Sequence, residues 1–295
     1  MEPSIEHAQN ANSGSDAILE FAAESPLRQF KGFIRQVCDD LLSARAPAYR
    51  LFKSAIAQRY RHSSLGLLWA FLPSAIVAAI VSLGQKHVPA LAPIDISGQF
   101  YAIFGLILFQ TLLETFNTQR CLFTANRHQL NRHRRILEAS FLAGLLDNLF
   151  SLAVKLPILI GALILCGVHP ASTVILGLFG ILLVLAFGTT LGILAAPWNA
   201  LRGDLNHVMG FFPWILAATT PVFVKPTVDS LCWKYYLLNP LTWVFEAVRN
   251  FFYGNATMGD GIVMLLVCSI TFILLPVSWL ICRIARPYVI ERTKV

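Results

Sequence analysis

GLLWAFLPSAIVAAIVSL, residues 66–83, carries no charged side chain. At about 1.5 Å per residue a run of this length crosses a hydrocarbon core about 30 Å thick. Further apolar runs lie near 100–116, 143–166, 172–196, 208–224 and 261–281. Working outward from the first run, the pattern predicts an all-α integral membrane protein with about six transmembrane helices. Function must then lie in membrane chemistry: moving something, anchoring something or modifying a lipid.

Composition agrees. Of 295 residues, 56% are hydrophobic and 13% charged, against about 25% charged in a soluble domain. One membrane domain is expected over 64–284, with a cytosolic tail at 285–295. The first residues are polar and weakly acidic, with no Lys or Arg before Arg28. They lack the basic region and apolar core of a cleaved signal peptide. A largely disordered cytosolic segment is expected over 1–45.

The net charge of +7 is unevenly placed. Arg28, Lys31, Arg35, Arg45, Arg50, Lys53, Arg59 and Arg61 precede the first run. Arg120, Arg127, Arg132, Arg134 and Arg135 follow the second, Arg202 the fourth, and Arg283, Arg286, Arg292 and Lys294 the last. The alternate loops hold only Lys86, Lys225, Lys234 and Arg249. Positive residues stay on the cytosolic side, so both termini are placed there. The six cysteines form no CxxC pair, which argues against a disulfide framework or a metal site.

Residues 48–61, AYRLFKSAIAQRYR, read as an amphipathic interface helix within 46–63. Leu51, Phe52, Ala55, Ile56 and Tyr60 fall on one half, and Arg50, Lys53 and Arg61 on the other, with Arg59 apart. The loop 117–140, NTQRCLFTANRHQLNRHRRILEAS, is the most basic, with a short helix expected near 125–137. It suits an acidic partner, lipid or protein.

Residues 226–260 are too polar to span and too apolar for an ordinary loop. Asn239-Pro240 provides a helix start and Gly254 a stop. The helix 240–253 would be about 21 Å long, too short to cross, as in a re-entrant outer segment before the last span. Trp233, Tyr235, Tyr236 and Trp243 cluster around it. They fit an aromatic belt at headgroup depth or a sugar-stacking exit.

Glu114, Asp147 and Lys155 fall inside apolar runs, where a charge costs about 2.5–3.5 kcal/mol on insertion scales. Lys155 calls for an acid on a neighbouring helix, a polar conduit or a subunit seam. Glu114 and Asp147 lie at similar depth, within reach of a cytosolic vestibule. The chain has no GxxxxGK[ST], HExxH or GxSxG pattern, so no catalytic or ATP-binding centre is expected in it.

Three segments carry a resemblance: 56–73 (IAQRYRHSSLGLLWAFLP), 125–135 (ANRHQLNRHRR) and 238–254 (LNPLTWVFEAVRNFFYG). Their order and spacing resemble the ABC-type exporter permeases for polysaccharides and polyol phosphates, those of O-antigen, capsule and teichoic acid. The resemblance covers about 50–285. It implies a homodimer with two copies of a P-loop ATPase in the bacterial inner membrane. ATP and Mg would be bound by that partner, and a lipid-linked polysaccharide would be the cargo, with membrane lipids around it and no nucleic acid. Arg127, Arg132, Arg134 and Arg135 would couple to the ATPase. Arg59, Arg61 and Trp69 would meet the lipid headgroup, since an arginine fork matches phosphate oxygens. Glu246, Arg249 and Phe251, with the aromatics, would form the sugar path or outer gate. Competing classes are a secondary transporter or channel, which would show repeats around a midplane site, and a membrane transferase, which would need a carboxylate or histidine cluster. Export of another lipid-linked amphiphile also remains open.

Overall fold

The computed structural model describes residues 30–61, 75–77, 79–80, 98–125, 136–168, 172–202, 204–223 and 233–293. The chain divides into two units, residues 1–39 and 40–295. In the first, only the beginning of a helix is described. All contacts below belong to the second.

Every described element of three or more turns is a helix: α1 (Phe30–Tyr60), α2 (Gly98–Arg120), α3 (Ile136–Cys166), α4 (Val174–Leu201), α5 (Asp204–Thr219), then α7 (Pro240–Tyr253) and α8 (Met258–Thr293), with a short α6 (Trp233–Leu238) before α7. Among the described residues four helices are long and apolar enough to cross a membrane, namely α2, α3, α4 and α8. The protein is an all-α integral membrane protein. The first expected span lies outside the described residues apart from 75–77 and 79–80. Over the expected fifth span lies α5, whose 16 residues end at Thr219 and which is not among those four helices. Pro221 follows and cannot continue a helix.

The interface helix differs from expectation at its start. Helix α1 begins at Phe30 and runs through Pro47, well upstream of 46. Its apolar side is not left to lipid alone. Ala44 and Ala48 are fully buried against Ala139 of α3, with Leu51 and Leu142 beside them. Small residues at i and i+4 let two helix backbones approach closely.

Helix α4 is the hub, packing on α2, α7 and α8. Gly188 and Gly192, one helical turn apart, make the α2 contact. A Cβ on Gly188 would lie 2.8 Å from the Leu112 carbonyl oxygen, and one on Gly192 would lie 2.6 Å from that of Phe116. Several threonine hydroxyls within the spans bond to their own helix. Thr111 donates to the Ile107 carbonyl at 2.7 Å and Thr271 to that of Val267 at 2.7 Å. The exposed apolar side chains gather on α3, α4 and α8, among them Ile164, Leu165, Ile175 and Phe272. Their exposure fits surfaces solvated by acyl chains rather than water.

The helices alternate in direction and define two ends. Arg120, Asn199 and Asn206 meet at one end. Arg120 Nη1 donates to Asn199 Oδ1 at 2.9 Å and to Asn206 Oδ1 at 2.7 Å. Arg283 also lies toward that end, bonded to Asp40 at 2.6 Å and Glu138 at 3.0 Å. It joins α8, α1 and the start of α3. The opposite end carries α7.

Candidate functional site

The local sequence makes α7 as expected. Asn239 Oδ1 accepts from the Leu241 N–H at 3.0 Å, Pro240 fills the first turn, and Gly254 ends the helix at φ 83°. The same Asn239 reaches outward: its Nδ2 donates to the Thr219 carbonyl at 3.1 Å and to Thr220 Oγ1 at 2.8 Å. One side chain thus caps α7 and ties it to the end of α5. At the other terminus Asn250 donates to Asp260 at 3.1 Å. Asp260 also accepts from the Thr257 N–H at 2.8 Å, a capping box opening α8.

Arg249 is the centre of this end. It is fully buried. Its Nη1 donates to the Pro221 carbonyl at 2.9 Å and to Glu246 at 3.0 Å, and its Nη2 to the Val222 carbonyl at 2.9 Å. Its guanidinium carbon lies 3.7 Å from the centre of the Tyr101 ring. The Tyr101 hydroxyl donates to Glu246 in turn. A desolvated charge must be matched by a counter-charge and hydrogen bonds to be tolerated, and Arg249 has both. Gly105 makes the room: a Cβ there would overlap Arg249 Nη2 and the Val222 carbonyl. Phe100, Phe104 and Phe252 pack on one another, with Phe104 and Phe252 ring centres 4.9 Å apart. Burial also pushes the Tyr253 phenol far above its ordinary pKa.

The other gate residues are spread over this end. Trp243 is 48% exposed, with its indole N–H on the Leu237 carbonyl at 3.0 Å. Tyr235 is exposed and Tyr236 half-buried, and Trp233 opens α6. Phe251 is half-buried against the core, and its carbonyl accepts from Thr173.

The charges within spans are paired. Arg59 grips Asp147 with both fork nitrogens, at 3.2 and 2.9 Å. That binds α1 to α3 and accounts for Asp147 without a vestibule. The Arg59 fork, expected at the lipid headgroup, thus also holds a carboxylate. Arg61 is exposed. Lys155 pairs with Glu114 of α2 at 2.6 Å, an acid on a neighbouring helix, which was one of the three alternatives read for it. Trp69, Arg127, Arg132, Arg134 and Arg135 lie outside the described residues, as do residues 126–135 of the short helix expected near 125–137, whose last two positions belong to α3.

Sequence reasoning did not single out Tyr101, Gly105 or Ser151. Tyr101 and Gly105 sit in an apolar run with no local mark of a partner more than a hundred residues away. Gly188 and Gly192 were also missed, although their small-xxx-small spacing is readable.

The sequence model of one protein family, described as ABC-2 type transporter, matches residues 48–253. No curated protein matches the chain. The match begins inside α1 and ends with the last residue of α7. It takes in the Arg59–Asp147 pair, the Glu114–Lys155 pair and the Arg249 cluster alike.

Proposed function

This chain belongs to the ABC-2 type transporter family, and on that footing we propose that it exports a lipid-linked polysaccharide, of the O-antigen, capsular or teichoic-acid kind, across the bacterial inner membrane. The family makes it a multi-pass membrane component of an ABC transporter, with ATP hydrolysed by a partner subunit. The finer reading takes two copies of the chain and two P-loop ATPase subunits, which would bind the ATP and Mg. Both termini and the arginine-rich end would face those subunits in the cytosol.

The observation that carries the reading is α7. It is a capped helix too short to cross, bolted through Arg249 to α2 and to the turn after α5. Backbone of this kind at membrane depth is tolerated where it packs on protein or lines a cavity. A segment so anchored, with Trp243 and Tyr235 exposed beside it, suits an outer mouth that must pass sugar rings without reading their order. Arg59 and Arg61 would meet the lipid phosphate at the opposite, lateral entrance, and Arg127, Arg132, Arg134 and Arg135 would receive the ATPase.

The test is reconstitution of the chain with its partner ATPase. ATP hydrolysis should rise with lipid-linked glycan and not with the free glycan or the bare lipid carrier. No rise with any lipid-linked glycan, with the complex intact, would redirect the reading to another lipid-linked amphiphile.

A further inference from the structure

Asp147, Ser151 and Lys155 recur every four residues along α3. They share one side of the helix within about 80° and extend about 12 Å along its axis. Arg59 occupies the first of them. The other two converge on α2: Ser151 Oγ and Lys155 Nζ each donate to Glu114 Oε2, both at 2.6 Å.

The two partners of this ion pair differ in exposure. Lys155 is 3% exposed and Glu114 is 43% exposed. Both donors fall on Oε2, and among the described residues nothing donates to Oε1. Asn148, three residues before Ser151 and itself buried, has an amide Nδ2 without an acceptor. A buried ion pair needs its remaining lone pairs satisfied, and a charge inside a span marks a functional position by default. Here the cation is sealed in, and the acid keeps an oxygen to which no described residue donates.

The chemistry of a fitting ligand follows. Glu114 and Lys155 together are neutral, so the site draws no net charge. A cation is disfavoured by the ammonium 2.6 Å from the same carboxylate. An anion would meet an acceptor, not a donor. A neutral hydroxyl remains, and a charge-assisted hydrogen bond to a carboxylate is about twice as strong as a neutral one.

We propose that Glu114, oriented by Lys155 and Ser151, binds hydroxyl groups of a polyhydroxylated, sugar-like headgroup within the membrane. The proposal rests on the exporter reading and supplies that path with its polar step between the Arg59 end and the outer mouth. Lys155 and Ser151 are positioning residues, and Glu114 makes the contact.

The test uses the chain with its partner ATPase in vesicles of phosphatidylethanolamine and phosphatidylglycerol. Two photoreactive probes of equal chain length are compared, an alkyl glucoside and an alkyl phosphocholine. The glucoside should label α2 and α3 peptides in clear excess over the phosphocholine. The double substitution Glu114→Gln with Lys155→Met leaves no unpaired buried charge and should cut that labelling about tenfold. Equal labelling by both probes, or unchanged labelling in the double variant, overturns the proposal and leaves the pair structural. If the double variant fails to insert, Glu114→Asp decides: it keeps the charge and withdraws the carboxylate by one methylene. Its glucoside labelling should fall several-fold, and wild-type labelling overturns the proposal. Co-purification of the wild-type chain with the ATPase, and ATP hydrolysis by that complex, report on the exporter reading separately.

Discussion

The guanidinium of Arg249 stacks on the ring of Tyr101, 3.7 Å from its centre, while Glu246 hydrogen-bonds to both. The helix that is too short to cross is thereby fixed to a spanning helix through a closed polar triangle inside an apolar core. An exposed Glu–Arg pair three residues apart would contribute only about 0.3–0.5 kcal/mol. Burial changes the scale.

Arg249→Met should therefore lower the stability of the detergent-solubilised chain by about 3–5 kcal/mol, because Glu246 and two carbonyls lose their donor. Tyr101→Phe keeps the ring under the guanidinium and removes one hydroxyl, so it should cost about 1 kcal/mol. Gly105→Ala should resemble Arg249→Met, since a Cβ there displaces the guanidinium. Thermal unfolding of the three variants checks the order. A Gly105→Ala chain as stable as wild type would refute the close approach.

How much of this end was readable from sequence depends on range. The bounds of α7 came from Asn239, Pro240 and Gly254, whose effects are local. The partners of Arg249 did not, because Tyr101, Pro221 and Val222 are close only after folding. That Lys155 needed a partner or a polar surrounding was readable from its depth, but that Glu114 of α2 supplies it depends on how α2 and α3 are rotated against each other. Helix α1 was read too short because only 48–61 shows a clear amphipathic pattern, and the polar residues before it were read as disordered. The helix passes through it with Ala44 and Ala48 buried on α3.

The Arg59–Asp147 pair gives a two-step test of the lipid-phosphate role. The pair is half exposed and worth at most about 1 kcal/mol to stability. Arg59→Gln should lower export several-fold with the complex intact, and Arg59→Lys should restore part of it, since lysine lacks the fork. Adding Asp147→Asn to Arg59→Gln separates the roles. Export should stay low if Arg59 meets phosphate. Full recovery in the double variant would make Arg59 only a partner for Asp147.

The arginine loop after α2 is expected to hold the ATPase. Replacing Arg127, Arg132, Arg134 and Arg135 together by Ala should dissociate or uncouple the partner. Insertion and orientation should survive, because the basic residues before the first span and after the last remain. Pull-down of the ATPase and protease mapping of the termini read the two halves. Normal export with an intact complex would move the contact elsewhere.

The last prediction concerns motion of α7. Phe251 is half-buried against the core, whereas Trp243 is 48% exposed within one chain. If α7 closes the outer mouth at rest, the two positions should be shielded by different things. On a background without native cysteines, Phe251→Cys should react poorly with an impermeant thiol reagent in any resting preparation. Trp243→Cys should react poorly only when something beyond its own chain, a second copy or lipid, covers it. Both should react faster during ATP-driven export, because opening must release α7 from α4 and α8. An increase at Phe251→Cys of at least several-fold is expected, as a buried thiol becomes accessible only when its helix moves. Phe251 starts as the more buried of the two, so Phe251→Cys should change more than Trp243→Cys. Full reaction at rest at both positions, or reaction only from the arginine-rich side, would rule out α7 as the gate.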